Sequence, residues 1–146
     1  MLDEPALRKP GFTEGPRIVL GDGQAWTFPR PRLSLYPVRA SDGRLTVGGG
    51  MGYGSDYADL VDQLVECDPG DTTARLALQF QMAASLLERN YTLGDRDLRR
   101  LLAIDLDDPA CEPRWAQINQ VLLGRPPKPL ADGSATPSLP TGSPGN

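Results

Sequence analysis

The sequence contains no histidine and only two cysteines, Cys67 and Cys111. Histidine is the side chain that most often acts as a general base near neutral pH and as a ligand for transition metals. Its absence excludes Ser-His-Asp, Cys-His and His-based zinc sites within this chain. Two isolated cysteines are more typical of buried thiols than of a disulfide. The sequence therefore predicts a protein without catalytic residues, without a metal site and without a cofactor.

Long hydrophobic runs are also absent. No window approaches the roughly 18 uninterrupted apolar residues that a membrane span needs. The first residues, Met1 to Pro5, are acidic, whereas a signal peptide begins with basic and then apolar residues. We therefore expect a cytoplasmic protein with no membrane contact. A chain of 146 residues with 39% hydrophobic content suits one domain with one core.

Positive charge is scarce in the second half of the chain. Residues 55–124 contain six Lys or Arg against thirteen Asp or Glu, whereas residues 1–54 contain seven against five. An acidic surface repels a phosphate backbone, so the sequence predicts no nucleic-acid partner. A basic or apolar protein partner is favoured instead.

The first half of the chain has the pattern of short strands. Residues 17–20 and 24–28 flank the turn signal Gly21-Asp22-Gly23, which predicts a β-hairpin with Trp26 and Phe28 on one face. Two more strands are predicted at 33–36 and 44–47. Such a small sheet needs a helical layer to cover its apolar face. Residues 1–11, which lack a periodic pattern, are interpreted as a flexible leader.

Five glycines occur among residues 48–54, between the last predicted strand and the first helix. A glycine-rich loop ahead of a helix can bind phosphate, but this one lacks the Lys followed by Ser or Thr that the P-loop requires. Asp56 and Asp59 would also place negative charge where the phosphate must sit. We therefore interpret residues 48–54 as a joint between a β-rich part, 12–47, and a helical part, 55–124.

Four helices are predicted in the second half, beginning near Ser55, Thr72, Thr92 and Pro113. The second, residues 72–89, has two adjacent apolar stripes, which is typical of a central core helix or of a helix that docks a partner. Leu78, Met82 and Leu86 form its second stripe. We take these three residues, with the acidic Asp59 and Asp62 on the first helix, as the candidate partner-binding residues.

These elements predict an α+β fold in which a small N-terminal antiparallel sheet packs on a compact bundle of about four short helices. Residues 12–124 would form the single domain. The last 22 residues, 125–146, include six prolines and few apolar residues, which predicts a disordered tail.

The arrangement resembles bacteriophage tail assembly chaperones. The similarity lies in the strand–turn–strand of Ile18 to Phe28, in the corner Asn90-Tyr91-Thr92-Leu93 and in the leucine-rich run at 101–108. The resemblance implies a non-enzymatic protein that shields a long helical tape-measure protein during tail assembly, with that protein or a tail tube protein as partner. It is compatible with homo-oligomerisation. The alternatives are a phage structural or adaptor protein, or a small enzyme that uses the glycine-rich loop.

Overall fold

The computed structural model describes residues 2–124, so the predicted tail at 125–146 lies outside the described residues. This part of the chain has an α+β fold, as the sequence predicts. It contains two separate two-stranded antiparallel sheets followed by four α-helices. The elements are β1 (Arg17–Val19), β2 (Ala25–Thr27), β3 (Arg32–Arg39), β4 (Leu45–Gly52), α1 (Ser55–Glu66), α2 (Thr72–Asn90), α3 (Asp95–Leu102) and α4 (Cys111–Leu122).

The first hairpin, β1–β2, forms where the sequence predicts it. Ile18 pairs with Trp26 across the two strands. Asp22 in the turn accepts a hydrogen bond from the indole Nε1 of Trp26 over 3.0 Å and another from the backbone amide of Gln24 over 3.0 Å. Trp26 and Phe28 are fully buried, and this sheet packs through β1 on α4. The side chain in the turn therefore fixes both the turn and the core tryptophan.

Helix α2 lies at the centre of the helical part and contacts α1, α3 and α4. It begins at an Asp71 cap, whose Oδ1 accepts a hydrogen bond from the backbone amide of Ala74 over 3.0 Å. Both predicted apolar stripes reach the core, because neighbouring helices cover α2 on more than one side. The domain core also includes β1–β2 and the buried side of α4.

The N-terminal segment differs from the predicted flexible leader. A 3₁₀ turn forms at Pro5–Leu7, and Leu2, Leu7 and Phe12 pack against the core. Glu4 is buried, and its carboxylate accepts a hydrogen bond from the hydroxyl of Tyr91. The prediction was wrong because these anchors are long-range contacts, which leave no periodic pattern in the segment itself.

Three helix starts differ from the sequence prediction. α1 is capped by Gly54 rather than Ser55, and α4 begins at Cys111 instead of Pro113. α3 begins at Asp95 rather than Thr92. Residues 91 and 92 are held away from helical geometry, because Tyr91 forms a β-bridge with Arg8 and the amide of Thr92 donates to the carbonyl of Leu7 over 2.9 Å.

The glycine-rich segment is also different from its prediction. Gly48 to Gly52 are not a joint but the second half of β4, where they pair in register with residues 32–36 of β3. Only Tyr53 and Gly54 separate β4 from α1. β3 and β4 therefore form a hairpin of eight residues in each strand, longer than the two short strands that the sequence predicts.

Candidate docking surface

The β3–β4 hairpin, called the ribbon below, has one strongly apolar face. In antiparallel strands, directly paired residues point to the same side, and side chains alternate along each strand. The register pairs Leu33 with Met51, Pro37 with Val47 and Arg39 with Leu45. Leu35 lies between the first two pairs, opposite Gly49. We define the ribbon face as Leu33, Leu35, Pro37, Leu45, Val47 and Met51.

The ribbon face is open to solvent in the described structure. Of the ten large hydrophobic residues exposed among residues 2–124, six belong to the ribbon. Leu35 is 64% exposed, Met51 69% and Val47 74%. Scattered exposed hydrophobic residues are normal on a protein surface, but a contiguous group marks an interaction site. The ribbon face is such a group.

The glycines of β4 are required by the geometry of the ribbon. Gly49 has a φ of 113°, a conformation that L side chains rarely adopt, and a Cβ atom there would lie 2.0 Å from the carbonyl oxygen of Ser34. A Cβ at Gly48 would lie 2.4 Å from the Cγ2 of Val38. The glycines therefore allow the two strands to approach closely. They also leave a gap opposite Leu35 on the ribbon face.

β3 contacts α1 of the helical part, and neither ribbon strand pairs with a strand outside the ribbon among residues 2–124. The face opposite the ribbon face lines a groove toward α1. Ser34, Tyr36, Tyr53 and Asp62 contribute to the walls of this groove. One face of the ribbon is thus partly covered by its own domain, and the ribbon face is not.

Two tyrosines anchor the C-terminal end of the ribbon to the domain. The hydroxyl of Tyr53 donates to the carbonyl of Val121 over 2.9 Å, and the hydroxyl of Tyr57 donates to that of Leu122 over 2.7 Å. These carbonyls lie in the last turn of α4, and that of Val121 also accepts a hydrogen bond from the backbone amide of Gly124 over 2.8 Å. The tyrosine rings meet edge to face at 4.9 Å between centroids. The end of β4 is therefore fixed to α4 and α1.

The environment of these tyrosines favours their neutral form. Burial raises the pKa of Tyr53 to about 12 and that of Tyr57 further. Arg89 of α2 lies over both rings, with its guanidinium carbon 5.7 Å and 5.9 Å from the two centroids. Burial also lowers the pKa of Arg89. This cluster packs one cation on two neutral aromatic rings and has a structural role at the base of the ribbon.

Charge at the ribbon is opposite in sign to that of the helices. Residues 29–54 contain four arginines and one carboxylate, Asp42. Arg39 and Arg44 are at the turn end of the ribbon, and Arg30 and Arg32 are near its other end. All four are exposed. Asp42 accepts a hydrogen bond from the backbone amide of Arg44 over 3.0 Å. The ribbon therefore has arginines near both ends; the pairing with Leu45 puts Arg39 on the ribbon face, and the alternation puts Arg32 on the opposite face.

The candidate residues from the sequence do not form one surface. Met82 and Leu86 are fully buried in the core, so they are not available to a partner in the folded protein, and Leu78 is half-buried. Their assignment was wrong for Met82 and Leu86 because α2 is covered by its neighbours. Asp59 and Asp62 are exposed on α1. Asp62 lines the groove on the opposite side of the ribbon.

The residues of the ribbon face were missed as a docking surface, although a signal was present. Leu33, Leu35 and Pro37 alternate with Ser34 and Tyr36; Leu45 and Val47 have the same spacing of two, and Met51 follows on the same face after Gly49. Interpreting 48–54 as a joint hid the second half of this alternation. That interpretation also did not say whether helices or a partner would cover the ribbon face.

Other classes of site find little support in the described residues. Residues 2–124 include no group of three or more Cys, Asp or Glu side chains placed to hold a metal ion. Cys67 and Cys111 are both free, and Cys111 is buried. Within the same range, every helix is too short or too polar to cross a membrane.

Comparisons with known proteins give no match to this chain among protein-family models, curated proteins or solved structures. The geometry of the ribbon is therefore the basis for a functional conclusion.

Proposed function

We propose that this chain is a non-enzymatic protein-binding module and that the ribbon face is its docking surface. The observation that supports this proposal is the contiguous exposure of Leu33, Leu35, Val47 and Met51 on one face of a two-stranded ribbon. A two-stranded ribbon with an uncovered apolar face gains stability when a third layer covers that face. Burial of such side chains against a partner is a general driving force for association.

The resemblance of the sequence to bacteriophage tail assembly chaperones suggests the class of partner. We extend the proposal to that role, in which the ribbon face covers apolar segments of a long helical tape-measure-like protein until tail tube subunits replace the chaperone. The pairing of Gly48 to Gly52 within β4 gives less support to an enzyme that uses this segment as a phosphate loop, because the segment is a strand.

The experiment is co-expression of the tagged full chain with the long reading frame encoded beside its gene, followed by affinity capture from the soluble fraction. We expect the chain to retain the long product and the double variant Leu35→Ser/Val47→Ser to lose it. The matched control is Val65→Ser/Leu106→Ser, which removes two apolar residues outside the ribbon that are even more exposed, at 77% and 92%.

Capture of the long product by the ribbon variant as efficiently as by the native chain would contradict the proposed docking surface. Loss in the control variant alone would place the interface on α1 or near Leu106. A role as a structural component would instead be indicated by stoichiometric presence of the chain in purified mature particles, since a chaperone leaves before maturation.

A further inference from the structure

We infer that the ribbon face binds one amphipathic α-helix of a partner, with an apolar stripe along its length and acidic residues at both ends. This inference rests on the proposed function and specifies the chemistry of the partner. It follows from three properties of the ribbon: its dimensions, the gap at its centre and the sign of its charges.

The dimensions of the ribbon match a single helix. Each strand contains eight residues. At about 3.3 Å per residue the ribbon is about 26 Å long, which corresponds to about 17 residues of α-helix. Two strands about 4.8 Å apart, with their side chains, are close in width to one helix of about 10 Å diameter. One helix therefore covers the ribbon face.

The shape of the ribbon face is complementary to the side chains of a helix. Leu33 and Met51 form a pair at one end, and Pro37 and Val47 form a pair beyond the centre. Between them, Leu35 has only Gly49 as its opposite residue. A face with a gap between two apolar pairs receives a protruding side chain, as helices pack their ridges into grooves.

The positive charge of the ribbon favours acidic residues at the ends of the bound helix. Four arginines against one carboxylate give the ribbon region a net charge of +3 (4 − 1). Two ion pairs are found among residues 2–124, between Arg8 and Glu4 and between Arg114 and Asp108, so neither involves a ribbon arginine. Acidic residues at the ends of a bound helix complement these arginines. From the acidic helical part, the sequence predicted a basic or apolar protein partner, so the ribbon and the helices favour partners of different charge.

A second copy of this chain fits the ribbon face less well. Its acidic helix α1 offers the required charge through Asp59, Asp62 and Glu66. Yet Val65 is the one large apolar residue that is strongly exposed on α1. The ribbon face of a second copy would be apolar, but it would bring arginines toward arginines. A helix of another protein combines the apolar stripe with acidic ends.

The test measures binding of three labelled peptides of about 17 residues to the full chain by fluorescence anisotropy. The first has a leucine stripe and glutamates at both ends, the second has the same stripe with lysines at both ends, and the third is a scrambled first peptide. We expect the glutamate peptide to bind and to become helical by circular dichroism. The lysine peptide should bind about tenfold more weakly, and the scrambled peptide should not bind.

Variants of the chain test whether the peptide binds to the ribbon. Leu35→Ser/Val47→Ser should abolish binding of the glutamate peptide. Arg39→Ser/Arg44→Ser should weaken it about tenfold and reduce its salt dependence. Arg99→Ser/Arg100→Ser is the matched control, because it removes two exposed arginines from α3. This control should bind as the native chain does.

Four results would overturn the inference. They are equal binding of the lysine peptide, an extended bound peptide, ribbon-dependent binding of phosphatidylglycerol vesicles without peptide binding, and ribbon-dependent binding of a single-stranded oligonucleotide without peptide binding. If none of the peptides binds while ribbon-dependent capture of the co-expressed product persists, this inference fails and the proposed function stands. If no peptide binds and the co-expressed product is not captured either, both this inference and the proposed function are rejected.

Discussion

The side-chain amide of Asn90 donates a hydrogen bond to the backbone carbonyl of Thr27 over 2.9 Å, which joins the end of α2 to β2 across the core. The same amide nitrogen donates to the carbonyl of Thr13 over 3.0 Å, and its oxygen accepts from the amide of Thr13 over 3.0 Å. Asn90 is 1% exposed. One buried side chain therefore connects three segments that are distant in sequence.

Replacement of Asn90 by alanine should destabilise the protein by about 2–4 kcal/mol, because the buried carbonyl of Thr27 and the half-buried backbone groups of Thr13 lose their hydrogen-bond partner. Urea unfolding followed by circular dichroism measures the change. Gln63→Ala on the exposed side of α1 is the control and should change the free energy of unfolding by less than about 0.5 kcal/mol. An equally small effect of Asn90→Ala would show that water satisfies these groups.

The two leucines Leu86 and Leu35 should respond differently to the same substitution. Leu86→Ala removes fully buried atoms from the core and should cost about 2–5 kcal/mol. Leu35→Ala acts on a residue that is 64% exposed and should cost less than about 1 kcal/mol. Urea unfolding of both variants provides the comparison. Equal costs would mean that the ribbon face is covered in solution.

The glycine at position 49 should be essential for the ribbon, whereas Gly52 should not be. In Gly49→Ala the new Cβ meets the carbonyl oxygen of Ser34, and the residue has a φ of 113°. In Gly52→Ala the new Cβ has no atom within 4 Å. Amide chemical shifts of residues 32–52 should change widely in the first variant and only locally in the second. Unperturbed pairing in Gly49→Ala would contradict the geometry of β4.

Stability should decrease in alkaline solution partly because of Tyr53 and Tyr57. Burial raises the pKa of Tyr53 to about 12 and that of Tyr57 further, so the folded protein retains protons that the unfolded chain releases near pH 10. Stability contributed by these groups is complete below pH 10 and is lost as the pH rises toward the folded pKa. The change is measured by urea unfolding between pH 8 and pH 11.

The double variant Tyr53→Phe/Tyr57→Phe should be less stable at pH 8, because it loses two hydrogen bonds of about 1 kcal/mol each to α4. Its stability should then fall less steeply above pH 10 than that of the native chain. If the free energy of unfolding of the double variant fell with pH as steeply as that of the native chain, the assigned burial of Tyr53 and Tyr57 would be contradicted.

Glu4 should contribute to stability above acidic pH. Burial raises the pKa of this carboxyl, but hydrogen bonds from Arg8 and Tyr91 and the charge of Arg8 outweigh burial and hold the pKa below 4.5. The contribution is therefore present above pH 4.5 and is lost as the pH falls through the folded pKa. Glu4→Gln should destabilise the protein at pH 7 by more than at pH 3.

Much of the fold could be predicted from local patterns. The β1–β2 hairpin follows from its turn residues and from the alternation that places Trp26 inside, and α2 follows from its apolar stripes and from Asp71 ahead of it. The start of α3 could not be predicted. Thr92 is a good helix cap by its local sequence, but its backbone amide donates to the carbonyl of Leu7 in the N-terminal segment. The packed N-terminal segment was missed for the same reason, since Glu4 is held by the distant Tyr91.

The candidate surface was predicted less well than the fold. The sequence left open whether the second apolar stripe of α2 packs in the core or docks a partner, and it did not single out the ribbon. A stripe of leucine and methionine in a helix has the same appearance in the sequence whether it faces a core or a partner. Met82 and Leu86 proved to be core residues, and six of the ten exposed large hydrophobic residues among residues 2–124 belong to β3 and β4.

By itself, the sequence determined the α+β class, the first hairpin, the central helix, the absence of histidine chemistry and the opposite charges of the two halves. These properties depend on composition and on neighbours within a few residues. Only the tertiary structure decided that Gly48 to Gly52 form a strand, that α2 is covered and that the ribbon face is open. Burial is a relation between segments distant in the chain, so it is settled when those segments pack against one another.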